Sequence, residues 1–148
     1  GNHILIGSED PECDERIFVD PDNWDENFTD QWQTQVLRQA QRYPDLPISN
    51  NVKGVVSLYD VTDDWIPIYD KSDLPGFYMA IGTSGNQFKN APVAGVLMSE
   101  LIEYCENGNN HDKEPLKINL KYINKDINLK FYSRNRQINE ESSMSVLG

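Results

Sequence analysis

Residues 80–102, AIGTSGNQFKNAPVAGVLMSELI, decide the fold reading, because they join an apolar strand-like run to a helix-like run through a turn with two glycines, a serine, an asparagine and a lysine. The preceding FYMAIG (77–82) is the continuous apolar run expected of a strand buried on both faces. After the turn, Pro92 suits a first helical turn, where its missing N–H costs nothing. Val93, Val96, Leu97, Leu101 and Tyr104 mark the buried stripe of a helix from Pro92 to Glu106, which ends at ENGNN. A buried strand passing through Gly82 and Gly85 into a helix brings backbone N–H groups, the positive end of the helix dipole and Lys89 to one place, an arrangement suited to an anion. Ser84, Asn86 and Gln87 add hydrogen-bonding side chains. The competing reading is a plain strand-to-helix turn capped by Ser84 or Asn90. There is no GxxxxGK[ST] loop, and GTSGN lacks the last glycine of a nucleophile elbow.

Working outward, Asn27 to Arg42 places Phe28, Trp32, Val36 and Ala40 on one helical stripe with Leu37 beside it, and YPDLP (43–47) ends that helix. HILIG at the start reads as a strand, as does Val52 to Val61, crossed by Gly54. A loop with a short extended piece around Ile66 and Ile68 follows. LKINLKYI and INLKFYS, around NKD, read as a hairpin whose second half could equally be a short helix. The expectation is an α/β (α+β) chain with two main helices on a mixed sheet that includes Val52 to Val61 and Phe77 to Ile81.

Charge and composition narrow the function. With 148 residues, 24 acidic against 13 basic side chains and a net charge of -11, the field of the chain opposes nucleic acid and anionic membrane as partners. No stretch approaches the roughly 20 apolar residues of a membrane span. Cys13 and Cys105 stand far apart, and with two histidines they make neither a zinc site nor a disulfide scaffold; two free thiols in the cytoplasm are expected. Asp20, Asp22, Asp25, Asn27 and Asp30 resemble a calcium loop in composition only: the fifth, sixth and twelfth positions hold Trp24, Asp25 and Gln31, so a solvated turn with an Asx-type helix cap is favoured and no metal is expected. Asp60, Asp63 and Asp64 could do acid–base work if a pocket raised one pKa, but a hydrogen-bonded turn before Trp65 is the simpler expectation.

The order of the pieces adds a resemblance. GVVSLYDVTDDWIPIYDKSDLPGFYMAIGTSGNQFKNAPVAGVLMSELI (54–102) resembles the C-terminal part of the FAD-dependent D-amino-acid oxidase and sarcosine oxidase family. The matched positions are Thr62, Asp63, Asp64, Pro67 and Ile68; then Leu74, Pro75, Gly76, Phe77 and Tyr78; then Gly82, Ser84, Gly85, Phe88, Lys89, Ala91 and Pro92, in order and without gaps over about a third of the chain. HILIG, the first helix and RYPDL (42–46) resemble that family's late substrate-domain elements. The resemblance implies residues 1–76 as late substrate-domain strands and helix with connecting loops, 77–108 as the last strand–turn–helix of the FAD-binding domain, and 109–148 as a C-terminal extension.

It also implies an oxidoreductase acting on the C–N bond of a small amine or amino acid, with Gly82, Thr83, Ser84, Gly85, Asn86, Gln87 and Phe88 along the flavin, and Lys89 and Tyr59 at the substrate. Asn86 stands where the family has histidine and Gln87 where it has glycine. Ser57 stands where some members have the cysteine that bonds FAD, so any flavin would be held noncovalently. No GxGxxG occurs in the 148 residues, and the pyrophosphate of FAD has no seat without it. The expectation is a C-terminal fragment of a longer flavoprotein, colourless and inactive alone, prone to self-association and lacking its N-terminal FAD-binding region. The alternatives are a non-catalytic interaction module derived from such an enzyme and an acidic calcium-binding module.

Overall fold

The structure is a computed structural model that describes residues 4–6, 17–48 and 53–145. The chain forms two compact units, Gly1–Leu58 and Tyr59–Gly148.

In the first unit, α1 (Asp30–Ala40) begins at Thr29, whose hydroxyl accepts the Trp32 N–H at 3.1 Å. The cap is therefore the threonine rather than an Asx residue, although Asp20 and Asp25 do accept the N–H groups of Asp22 and Asn27 in Asx-type turns. Phe28 stacks on Trp32, 4.5 Å between centroids, and Gly54 passes so close that a β-carbon there would lie 3.1 Å from the Phe28 ring. Val36 and Ala40 are buried, as the stripe requires, and Leu37 lies off it, 37% exposed. Among the described residues two expected strands do not form. Ile4 to Ile6 are irregular and residues 53–61 form no ladder, with His3, Gly7 and Val52 outside the described residues. A valine-rich run becomes a strand only when another backbone takes its N–H and C=O groups, and no described strand runs beside this one. Val55 and Tyr59 are accordingly 87% and 60% exposed.

The second unit is α+β. β1 (Ile68–Lys71) pairs antiparallel with β2 (Tyr78–Ile81), Ile68 opposite Ile81, and β3 (Lys117–Leu120) pairs antiparallel with β4 (Lys125–Asn128). Two small antiparallel sheets thus replace the expected mixed sheet. β2 is not buried on both faces either: Phe77 and Ile81 are 54% and 47% exposed.

Between the sheets in sequence runs α2 (Gln87–Glu106), which starts five residues before the expected Pro92 and carries that proline inside it. Proline leaves the Phe88 carbonyl without its helical donor; Phe88 is itself exposed, so water can serve that carbonyl. The helix ends in a Schellman arrangement: Gly108, at φ 85°, donates to the Cys105 carbonyl at 2.9 Å and Asn109 to Tyr104 at 3.4 Å.

Leu97 and Leu101 of α2 meet Tyr69, Ile118 and Leu129 in the core, with Ala94, Met98 and Cys105 packed around them. Val93 and Val96, expected in the buried stripe, are 42% and 47% exposed, and Ala94, Met98 and Cys105 take the places against the core instead. INLKFYS divides: its first residues finish β4 and Leu129–Tyr132 form a 3-10 turn. Among the described residues no helix is long and apolar enough to cross a membrane.

Candidate functional site

The turn after β2 has the backbone its glycines announced. Gly82 and Gly85 take φ 61° and 80°, and Ser84 between them takes 53°. Asn86 donates to the Thr83 carbonyl at 2.9 Å, closing a turn whose two central residues both have positive φ, the type I′ pattern. Ser84 is a left-handed non-glycine and is stabilised there by two bonds: its hydroxyl donates to Gly82 O at 3.1 Å and its N–H to Asp60 O at 2.9 Å.

The turn does hold an anion, and the anion belongs to the chain. The Asp60 carboxylate accepts the Thr83 N–H at 3.2 Å, the Thr83 hydroxyl at 2.9 Å and the Gln87 side-chain amide at 3.2 Å. Thr62, two residues on, fills the space over Gly82, where a β-carbon would meet its Cγ2 at 2.3 Å. Segment 60–62 therefore lies along the turn and uses its donors. Thr83, Ser84 and Asn86 are buried, while Phe88 is almost fully exposed. Lys89 is exposed in the first turn of α2; Ser57 and Tyr59 are exposed as well.

Asp64 behaves as the turn reading expected. It is 1% exposed, and Trp65 donates to the Thr62 carbonyl at 3.1 Å to close the turn. Its partner lies far off in sequence. Arg136 grips the carboxylate with two nitrogens, Nη2 to Oδ1 at 2.6 Å and Nε to Oδ2 at 3.0 Å, while the N–H groups of Ile66 and Asn139 donate to the same oxygens. Burial alone would raise this carboxyl, but the guanidinium and the two backbone donors outweigh it and hold the pKa well below the usual range. A carboxylate so held and so fully bonded is a poor proton donor or acceptor near neutrality. Asp63 is exposed, and the three aspartates form no acid–base pair.

A second buried carboxylate had no signal in the sequence. Asp70, fully buried, accepts the Ser133 hydroxyl at 3.1 Å, the Arg134 N–H at 2.8 Å and Arg134 Nη1 at 3.1 Å. Arg134 also reaches Asp112 at 2.9 Å and Asp73 at 2.6 Å, and Lys71 reaches Asp112 at 2.6 Å. His111, 1% exposed, lies 3.7 Å from Asp70 by Nε2, and its Nδ1 accepts the Leu116 N–H at 3.2 Å. That bond fixes the neutral tautomer with the proton on Nε2. Burial pushes the His111 pKa down despite the charges of Asp70 and Asp112. The network ties residues 133–136 to the β1 region and is structural. No periodicity could have shown it, since Arg134 stands 64 residues from Asp70 and Arg136 stands 72 from Asp64.

Among the described residues no group of three or more histidine, cysteine or acidic side chains could hold a metal ion. Cys105 is a free, half-buried thiol, and burial pushes its pKa up; Cys13 lies outside the described residues. FAD, which the resemblance implies, does not fit the turn as folded, because Asp60 has taken the donors of Thr83 and Gln87 and Thr62 closes the space over Gly82. The chain matches no protein-family model, no curated protein and no solved structure.

Proposed function

We propose that the chain is the C-terminal portion of an FAD-dependent oxidoreductase of the D-amino-acid oxidase and sarcosine oxidase type, acting on the C–N bond of a small amine or amino acid. The observation that carries the reading is the Gly82–Gln87 turn, left-handed at Gly82, Ser84 and Gly85 and leading directly into a helix of 20 residues. This is the element that the ordered motif places along a flavin. In the assembled enzyme this chain would contribute Phe88, Lys89 and the turn, the last only once Asp60 and Thr62 withdraw from it, while the dinucleotide half of the site would come from a region with a GxGxxG strand and helix. The exposure of Phe77, Phe88, Val93 and Val96 is consistent with a surface covered by that region. Alone, the chain keeps its turn satisfied with Asp60, so no stable flavin complex is expected of it.

The test is the polypeptide translated from the whole reading frame, purified and assayed for a flavin absorbance band and for oxygen uptake with sarcosine, glycine and D-amino acids. A frame with no GxGxxG upstream and no flavin in the product would end the oxidoreductase reading. One observation favours a second reading, a self-standing interaction module of the same ancestry: Asp60 takes the Thr83 and Gln87 donors of the turn and Arg136 takes Asp64, all from within the unit. A natural start codon at Gly1 would favour it.

A further inference from the structure

The start of α2, the Trp65–Pro67 bend and the tail segment 131–145 line a half-open cavity of about 380 Å³. Its floor is aliphatic, with Pro67, Ala94 and Leu97, and its walls are aromatic, with Tyr69, Phe131 and Tyr132. Asn90, Asn139, Ser142 and Ser143 bring uncharged polar groups to it. Asn86 also lines it; this side chain is 8% exposed, and its Oδ1 is buried with no hydrogen-bond partner. Buried carbonyl oxygens are almost always bonded, so an unpaired one on a cavity wall indicates that the partner comes from outside the chain.

The lining sets the chemistry of that partner. Among the described residues no acidic, basic or histidine side chain lines the cavity, and burial pushes the Tyr69 and Tyr132 phenols up, so both stay neutral. A charged ligand would be desolvated there without a counterion. The Asn86 oxygen requires a donor, the serines and the other amides can donate or accept, and the aromatic walls favour a flat body. The volume suits a compact molecule. We infer that this cavity binds a small, uncharged, planar ring carrying an N–H next to a C=O, a lactam-type group, with the N–H donated to Asn86 Oδ1. Six of its lining residues, between Phe131 and Ser145, come from the extension beyond residue 109; Asn86 is shared with the Gly82–Gln87 turn, but the binding inferred here does not rest on the proposed oxidoreductase role.

The probe is 2-pyridone, titrated into the intact chain and followed by amide and side-chain NMR, with toluene and benzoate as controls. Saturable shifts at the Asn86 side-chain amide and at Ser142 and Ser143 are expected with 2-pyridone, none with benzoate, and weaker ones with toluene. Asn86→Leu should weaken 2-pyridone by about tenfold or more while leaving toluene unchanged. Asn86→Asp, which keeps the shape and the acceptor, should bind 2-pyridone, so the test survives a misfolded leucine variant. Equal affinity for 2-pyridone and toluene, no saturable shifts, or only an ordered water on Asn86 Oδ1 in a crystal soaked with the probe would each overturn the assignment.

Discussion

Arg136 closes on Asp64 as a fork, with Nη2 and Nε on separate carboxylate oxygens, across 72 residues of sequence. The pair is nearly dry: the Asp64 side chain is 1% exposed and that of Arg136 12%. The guanidinium also donates to the Ile66 and Ser133 carbonyls at 2.6 and 3.2 Å. Removing it strands a buried charge, so Arg136→Met should cost about 3–5 kcal/mol in urea unfolding. Arg136→Lys should recover only part, since an ammonium cannot span both oxygens. A loss below about 1 kcal/mol for the methionine variant would mean that water already screens the pair.

The pH dependence follows from His111. Its folded pKa lies below the unfolded value, so below roughly pH 6.5 the unfolded chain binds a proton that the native chain refuses. Stability is therefore full above that pH and falls as the pH drops toward the folded pKa. Protonation of Nδ1 would also turn the acceptor of the Leu116 N–H into a donor. Asp112, whose pKa is held down to about 2 chiefly by hydrogen bonds from Arg134 and Lys71, loses its contribution in a separate, lower window beginning near pH 4. Melting temperature against pH should show both steps, and His111→Gln should abolish the upper one alone. An unchanged upper step in that variant would assign it to another group.

Gly82 and Gly76 make a matched pair of alanine substitutions. Both have positive φ, but a β-carbon at Gly76 meets nothing within 4 Å and one at Gly82 meets the Thr62 methyl at 2.3 Å. Gly76→Ala should cost about 1–2 kcal/mol from backbone strain alone. Gly82→Ala should cost visibly more, and adding Thr62→Ser, which keeps the hydroxyl bonded to Asp64 and Ile66, should restore the difference. If the double variant showed no coupling in a mutant cycle, the turn would be moving away from Thr62 freely.

Asp60→Ala should leave the Thr83 N–H and the Gln87 amide without their carboxylate. Amide exchange at Thr83 should accelerate about tenfold for each 1.4 kcal/mol of local stability lost, while amides of the Leu97 and Leu101 turns should be unaffected. Equal acceleration in both places would show that Asp60 acts on the whole unit rather than on the turn.

In the proposed full-length oxidoreductase, Lys89→Met should leave flavin content unchanged and weaken carboxylate substrates by about 2–5 kcal/mol, the usual effect of removing one partner of a desolvated charge pair. The isolated chain, purified without added cofactor, should be colourless. A flavin band near stoichiometric occupancy would show that the turn can release Asp60 unaided, and unchanged substrate kinetics in the lysine variant would leave Lys89 a solvent-facing residue.

Much of the local structure was legible because it is written in short-range patterns. The Phe28, Trp32, Val36 and Ala40 spacing gave α1, and Gly82 with Gly85 gave a left-handed turn between strand and helix. The ladder partners were not legible. Residues 53–61 have strand composition and no strand, because pairing depends on what another segment offers. The start of α2 was missed because Pro92 resembled a boundary, yet proline is tolerated inside where the freed carbonyl of Phe88 can reach water. Within the turn, the anion preference was readable from glycines and a helix start, but its occupant, Asp60, was hidden in a segment read as a strand. Arg134 and Arg136 stood in a polar tail with nothing to mark them as partners of Asp64 and Asp70.

Those two arginines bear on how the unit is made. A ribosome releases Asp64 and Asp70 long before residues 133–136, so during synthesis both carboxylates belong to a nascent chain that lacks their counterions. Burying them early would cost several kcal/mol each, which leaves the β1 hairpin no route to a closed core until the arginines emerge. The order of translation and the order of folding are therefore opposed in this unit: its first-made strand waits for residues 133–136, and the sequence distance between them makes that closure a slow, non-local step.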